Sequence, residues 1–106
     1  MIHIPKAIYH KIANYVEENG FVDEETANYT VWLCNISDEA FEYENLVVDV
    51  DGWVSVRYRK EVTRWGSVQS GIGVDSSLVV TFRSDDDNII PTDFDKSILH
   101  NYLINK

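Results

Sequence analysis

Leu46-Val47-Val48-Asp49-Val50-Asp51-Gly52-Trp53-Val54-Ser55-Val56-Arg57-Tyr58-Arg59 is the stretch that decides the fold. Apolar and polar residues alternate along it, the period of a half-buried strand, and β-branched side chains dominate. At its centre stands Asp51-Gly52, a pair that tolerates the positive φ required at both central positions of a type I′ turn. The stretch therefore reads as a β-hairpin with Asp51-Gly52 at its tip. That register sets Val50 opposite Trp53, Val48 opposite Ser55, Leu46 opposite Arg57 and Glu44 opposite Arg59. On the other face it sets Val47 opposite Val56 and Asp49 opposite Val54. A cross-strand Glu44–Arg59 pair supports the register and is worth under about 1 kcal/mol when exposed. Trp53, Arg57 and Arg59 then share an outward face with Leu46, Val48 and Val50, while Val54, Val56 and Tyr58 turn inward. An outward strip this apolar, carrying a Trp and two arginines, points to a surface covered by a second subunit or a partner.

Strand patterns continue on both sides. Tyr29 to Asn35 is rich in β-branched and aromatic residues. Ser37 to Phe41 reads as a short helical turn capped by Ser37. Lys60 to Gln69 reads as a strand that turns through Ser70-Gly71-Ile72-Gly73-Val74-Asp75-Ser76 and returns as Ser77 to Arg83. Helices are expected at both ends. Ile8, Ile12, Tyr15 and Val16 recur at three- and four-residue spacing behind Pro5, with Gly20 as the stop. Phe21-Val22 is expected to fold back on that helix, and Asp23-Glu24-Glu25 to form a solvated loop. Pro91-Thr92 opens the second helix, with Thr92 as its cap and Asp95 three positions on. Its stripe is Phe94, Ile98, Leu99, Tyr102 and Leu103. The fold class is therefore α+β: about five antiparallel strands in hairpins, with helices near 5–19 and 92–104 packed on one face.

The 106 residues suit a single domain, 1–106, large enough to bury one core without cross-links. An apolar share of 44% and a charged share of 25% argue against disorder. Cys34 is the only cysteine, so no internal disulfide can form. It lies in an apolar strand near Asp38 and Glu39, a setting for a buried, inert thiol rather than a nucleophile. No apolar run reaches the length of a signal-peptide core or a membrane span, and a cytoplasmic protein is the expectation. The Asn28-Tyr29-Thr30 and Asn35-Ile36-Ser37 triplets match a glycosylation acceptor but carry meaning only in a secreted chain.

No motif for catalysis, a cofactor or a metal stands out. Asp49-Val50-Asp51-Gly52 fails as a calcium loop, since Tyr58 falls where the twelfth-position Glu is needed. Gly71-Ile72-Gly73 lacks the lysine, the third glycine and the following helix of a phosphate loop. His3, His10 and His100 are not at ligand spacing; His10 and His100 could meet if the terminal helices pack, but nothing supplies a third ligand. Neither a cofactor nor a metal is expected.

Two surfaces remain as candidates. One is basic and aromatic: Trp53, Arg57, Arg59, Arg64 and Trp65, in a segment that with Lys60 holds four of the nine basic residues. Such a layout can stack a base or clamp an anion, although plain pairing with acids across the sheet is the favoured explanation of the arginines. The other is acidic: Asp23, Glu24 and Glu25 with Asp85, Asp86 and Asp87. The net charge of −9 steers the chain toward basic partners and works against phosphate contacts. The leading expectation is a non-enzymatic protein-interaction module, an inhibitor or adaptor that meets a basic surface or self-associates through the sheet face. The alternative is a nucleotide- or nucleic-acid-binding module using residues 53–65, and an enzyme comes third.

Overall fold

The computed structural model describes residues 1–104, with the backbone alone for residues 62, 63 and 67. The chain runs α1 (Lys6–Asn19), β1 (Phe21–Glu25), β2 (Tyr29–Tyr43), β3 (Leu46–Thr63), β4 (Gly66–Arg83), β5 (Ile89–Pro91) and α2 (Lys96–Ile104). The strands form one antiparallel sheet in sequential order β1-β2-β3-β4-β5. The α+β class and the five-stranded sheet agree with the sequence reading.

The hairpin at Asp51-Gly52 does not. Both residues lie inside β3, where Gly52 faces Ile36 on one side and Leu78 on the other. The reason is parity. Leu46, Val48, Val50, Val54, Val56 and Tyr58 are all even-numbered, so an unbroken strand puts all six on one face. A turn at 51–52 would have thrown half of them to the opposite face. Val48, Val50, Val54 and Val56 are all fully buried, and each buried Val contributes about 1.5 kcal/mol or more. That sum outweighs the local preference of one dipeptide for a turn. Leu46, Val48 and Val50 therefore lie beneath the helices, not on the outer face. Gly52 is required for another reason: its φ is +139°, and a Cβ there would stand 1.9 Å from the Ser77 carbonyl oxygen. It marks a close approach of β4, one of the recurrent uses of glycine within a strand.

The true turns follow from this. Glu44-Asn45 joins β2 to β3, with Glu44 at φ 55°. Glu44 is thus in a turn, and Arg59 pairs with Tyr29 instead. Arg64-Trp65 joins β3 to β4, so Ser70–Ser76 is continuous strand rather than a turn. Ser37–Phe41 belongs to β2, which bulges between Ile36 and Glu39 with Asp38 at φ 50°. Residues 21–25 form the edge strand β1, not a loop. The acid run suits that place, because charged side chains discourage further pairing at a sheet edge.

Both helices pack on the even-numbered face. Ile8, Ile12 and Val16 of α1 and Leu99 and Leu103 of α2 join one core with Cys34, Ile36 and the β3 valines. The second helix starts later than the sequence suggested. Asp95, not Thr92, caps it by accepting the Ser97 N–H at 2.9 Å, while the Thr92 hydroxyl donates to the Val80 carbonyl. Gly20 does end α1, but in an extended conformation. A Cβ on it would lie 2.1 Å from Nε1 of Trp32, whose N–H donates to the Val16 carbonyl at 2.9 Å. The ring closes over the last turn of the helix where no side chain intervenes.

The segments that precede the two helices are clasped at Asp93. Its carboxylate accepts the Ile4 N–H at 2.6 Å and His3 Nδ1–H at 2.7 Å, and its own N–H donates to the Ile2 carbonyl. These hydrogen bonds hold its pKa below the usual carboxylate range, the His3 bond contributing most.

Two outcomes are expected. Gly20→Ala should displace the Trp32 ring, cost about 1–3 kcal/mol by overpacking, and shift the tryptophan emission. Denaturant titration with fluorescence checks both. Asp93 should also be visible in the acid limb. Its folded pKa is depressed, so its stabilisation is complete above its unfolded value near 3.9 and is lost as pH falls through the folded value. Asp93→Asn should be less stable than wild type at neutral pH, with the gap closing as acid is added. Urea midpoints measured across the acid range test this, and a constant gap would refute it.

Candidate functional site

The odd-numbered residues of β3 point away from the helices: Val47, Asp49, Asp51, Trp53, Ser55, Arg57 and Arg59. Strand pairing sets Val31, Leu33 and Tyr29 of β2 beside them on one side and Asp75, Ser77 and Val79 of β4 on the other. Among the described residues no element crosses this face. It leaves Val79 63% exposed, Ile72 47% and Trp53 36%, while the opposite face is packed.

A depression of about 410 Å³ lies at its middle, lined by Val31, Trp53, Ser55, Arg57, Ile72, Gly73, Val74 and Asp75. Two local features make it. β4 carries one extra residue where Arg57 faces Gly73 and Tyr58 faces Gly71, so Ile72 bulges out of register. Gly73 then leaves the floor open, for a Cβ on it would meet nothing within 4 Å. Arg57 is held over the Tyr29 ring, 5.0 Å from its centre, a contact worth about 0.5–1 kcal/mol at an exposed site. The Tyr29 hydroxyl donates to Glu24 at 3.0 Å, which anchors the ring and pushes its pKa up. No ion pair engages Arg57 among the described residues. The guanidinium is thus positioned by an aromatic ring, with its N–H groups free of a carboxylate.

Of the basic and aromatic residues expected to act together, the fold brings Trp53, Arg57 and Arg59 onto one face. Arg64 and Trp65 are elsewhere. They occupy the tip of the β3–β4 hairpin, roughly 40 Å along the strand from Trp53 at about 3.3 Å per residue, and Trp65 is 91% exposed there. The acidic candidates also separate. Asp23, Glu24 and Glu25 lie on β1, at one edge and one end of the sheet. Asp85, Asp86 and Asp87 lie in the β4–β5 turn at the opposite edge and the opposite end. Glu24 is bonded to Tyr29 and Glu25 to Lys60. These segments do not form one acidic surface.

Ile72, Gly73 and Asp75 escape a sequence reading that takes Ser70–Ser76 as a turn, and Tyr29 escapes it because β2 brings it to Arg57 from another strand. Gly71-Ile72-Gly73 between apolar strand residues was the available signal, since glycines inside a strand often mark a bulge. A second open feature lies at the side: from Gly66 to Val80, β4 pairs with no strand but β3 among the described residues. Asp75 is the only charged side chain on that edge.

Elsewhere the cysteine is buried, and two of the histidines pack against neighbouring side chains. Cys34 is fully buried and burial pushes its thiol pKa up. The His10 ring packs on Tyr102 and His100 Nε2 meets the Ser76 hydroxyl at 2.8 Å. Burial pushes His100 down in pKa. Among the described residues no three His, Cys, Asp or Glu side chains cluster at a metal-binding distance, and no helix is long and apolar enough to cross a membrane. Comparisons with protein-family models, curated proteins and solved structures found no match.

Proposed function

We propose that the chain is a non-enzymatic protein-interaction module whose docking surface is the bare sheet face centred on Trp53 and Arg57. The observation that carries this reading is the inequality of the two faces. One is covered by both helices. The other exposes Trp53 and Ile72 beside a positioned arginine, with Val79 further along the sheet, and exposed apolar clusters with a polar surround mark interaction sites. Trp and Arg are also the residue types that most often dominate binding energy. The net charge of −9 favours encounter with basic partners, and the corner acids would act through long-range attraction rather than as one contact surface. A cytoplasmic setting goes with this reading.

Immobilised protein should retain a partner, either another protein or the untagged chain itself, in a salt-sensitive manner. Trp53→Ala with Ile72→Ser should abolish retention while leaving the circular dichroism unchanged. Retention of nothing, or retention indifferent to those substitutions, refutes the reading.

The depression favours a second reading, a nucleotide or single-stranded nucleic acid stacked on Trp53 with its phosphate on Arg57. Salt-dependent binding of a fluorescent oligonucleotide, lost in Arg57→Ala/Arg59→Ala and in Gly73→Leu, is its expected signature. Absence of binding at low salt removes it.

A further inference from the structure

The outward residues of β3 carry a charge pattern with its own antiparallel complement. Between Val47 and Glu61, the next outward residues on either side, they are in order Asp49, Asp51, Trp53, Ser55, Arg57 and Arg59. Two acids stand on one side of the centre and two arginines on the other, at equal spacing from Val54. We infer that the occupant of the bare face is a second copy of this chain, packed face to face about a two-fold axis that lies between the two sheets, level with Val54. This rests on the reading of that face as a docking surface and names what covers it.

The register follows from the two-fold. Asp51 of each copy meets Arg57 of the other, Asp49 meets Arg59, and Trp53 lies over Ser55. An isologous contact makes every pair twice. Residues 51 and 57 are each three positions from the axis, about 10 Å along the strand at the usual rise. Packed sheets cross at about 30° with about 10 Å between them. At that distance from the axis the sideways offset is about 5 Å, which an arginine side chain spans. Trp53 then enters the depression lined by Ser55, Arg57 and Ile72 of the second copy. The positioned Arg57, which the fold leaves without an ion pair, gains one.

The size is sufficient. Three strands run ten residues along the face and the five residues of β1 extend it, giving roughly 550 Å² on each copy. Together these come to about 1,100 Å², just above the roughly 1,000 Å² that a specific interface should clear. The charge of −9 on each copy opposes the pairing. Its two largest acid runs stand at opposite corners of the sheet, and screening over about 8 Å at physiological salt limits their reach.

Sedimentation of the full chain at physiological salt tests the inference. Wild type should show a concentration-dependent monomer–dimer equilibrium. Arg57→Asp alone and Asp51→Arg alone should each weaken self-association at least about tenfold, since like charges then face one another twice. An equimolar mixture of the two variants should associate as wild type does, because each cross-pair again joins an acid to an arginine. Circular dichroism of each variant controls for folding; if either fails it, Arg59→Asp with Asp49→Arg serves the same scheme. A monomeric wild type overturns the inference. So do reversals that leave the dimer intact, which would move it to another surface such as the open β4 edge, and so does a mixture of folded variants that stays monomeric. If wild type is monomeric yet still retains a different protein through Trp53 and Ile72, this inference fails and the docking surface stands. If it retains nothing, both fall.

Discussion

The period-two burial of β3 is the constraint on which the rest of the molecule depends. Four valines on one face of the central strand need a cover, and α1 and α2 supply it with Ile8, Ile12, Val16, Leu99 and Leu103. Once those residues face the helices, the odd positions have no choice but to face outward together. Trp53, Arg57 and Arg59 share a face because Val54, Val56 and Tyr58 share the other. The candidate site is thus a by-product of core formation in its placement, though not in its composition.

What was legible in the sequence was periodicity, and what was not was where it paused. Both helices, the strand character of residues 29–35, 46–59 and 77–83, and the buried Cys34 follow from spacing and composition. The Asp51-Gly52 turn failed because a local preference was allowed to overrule a longer pattern. Parity across residues 46–58 contained the correction, since six apolar even-numbered positions are satisfied together only by a straight strand. The real turns, Glu44-Asn45 and Arg64-Trp65, carry no strong turn chemistry. Glu44 adopts positive φ at a cost of about 1–2 kcal/mol because the strands on both sides fix it there. Tertiary pairing places these turns, and a single sequence gives little notice of them.

The same limit applies to the site. Alternation found the pairing of Trp53 with Arg57, because both lie on one strand. It could not find Tyr29 beneath the guanidinium or Ile72 and Gly73 in the depression, which arrive from β2 and β4. Contacts along a strand are written in one stretch of sequence; contacts across strands depend on register, and register was wrong at 51–52. The acidic residues show the reverse error. Their number suggested one surface, yet β1 and the β4–β5 turn occupy diagonal corners, so charge count alone said nothing about clustering.

The sequential order of the strands has a consequence for how the chain assembles. Every strand pairs only with its neighbours in sequence, so each hairpin can zip onto the last with short loops to close. Among the exceptions is the clasp between Ile2–Ile4 and Asp93, which, like the contacts of Tyr9 with Phe94 and of His10 with Tyr102, joins segments almost a full chain length apart. It can form only after the meander is complete, because nothing before then holds its halves in proximity. Assembly thus finishes where the segments ahead of the two helices meet. Opening should begin there too, freeing the helix ends while the central strands remain protected from solvent exchange.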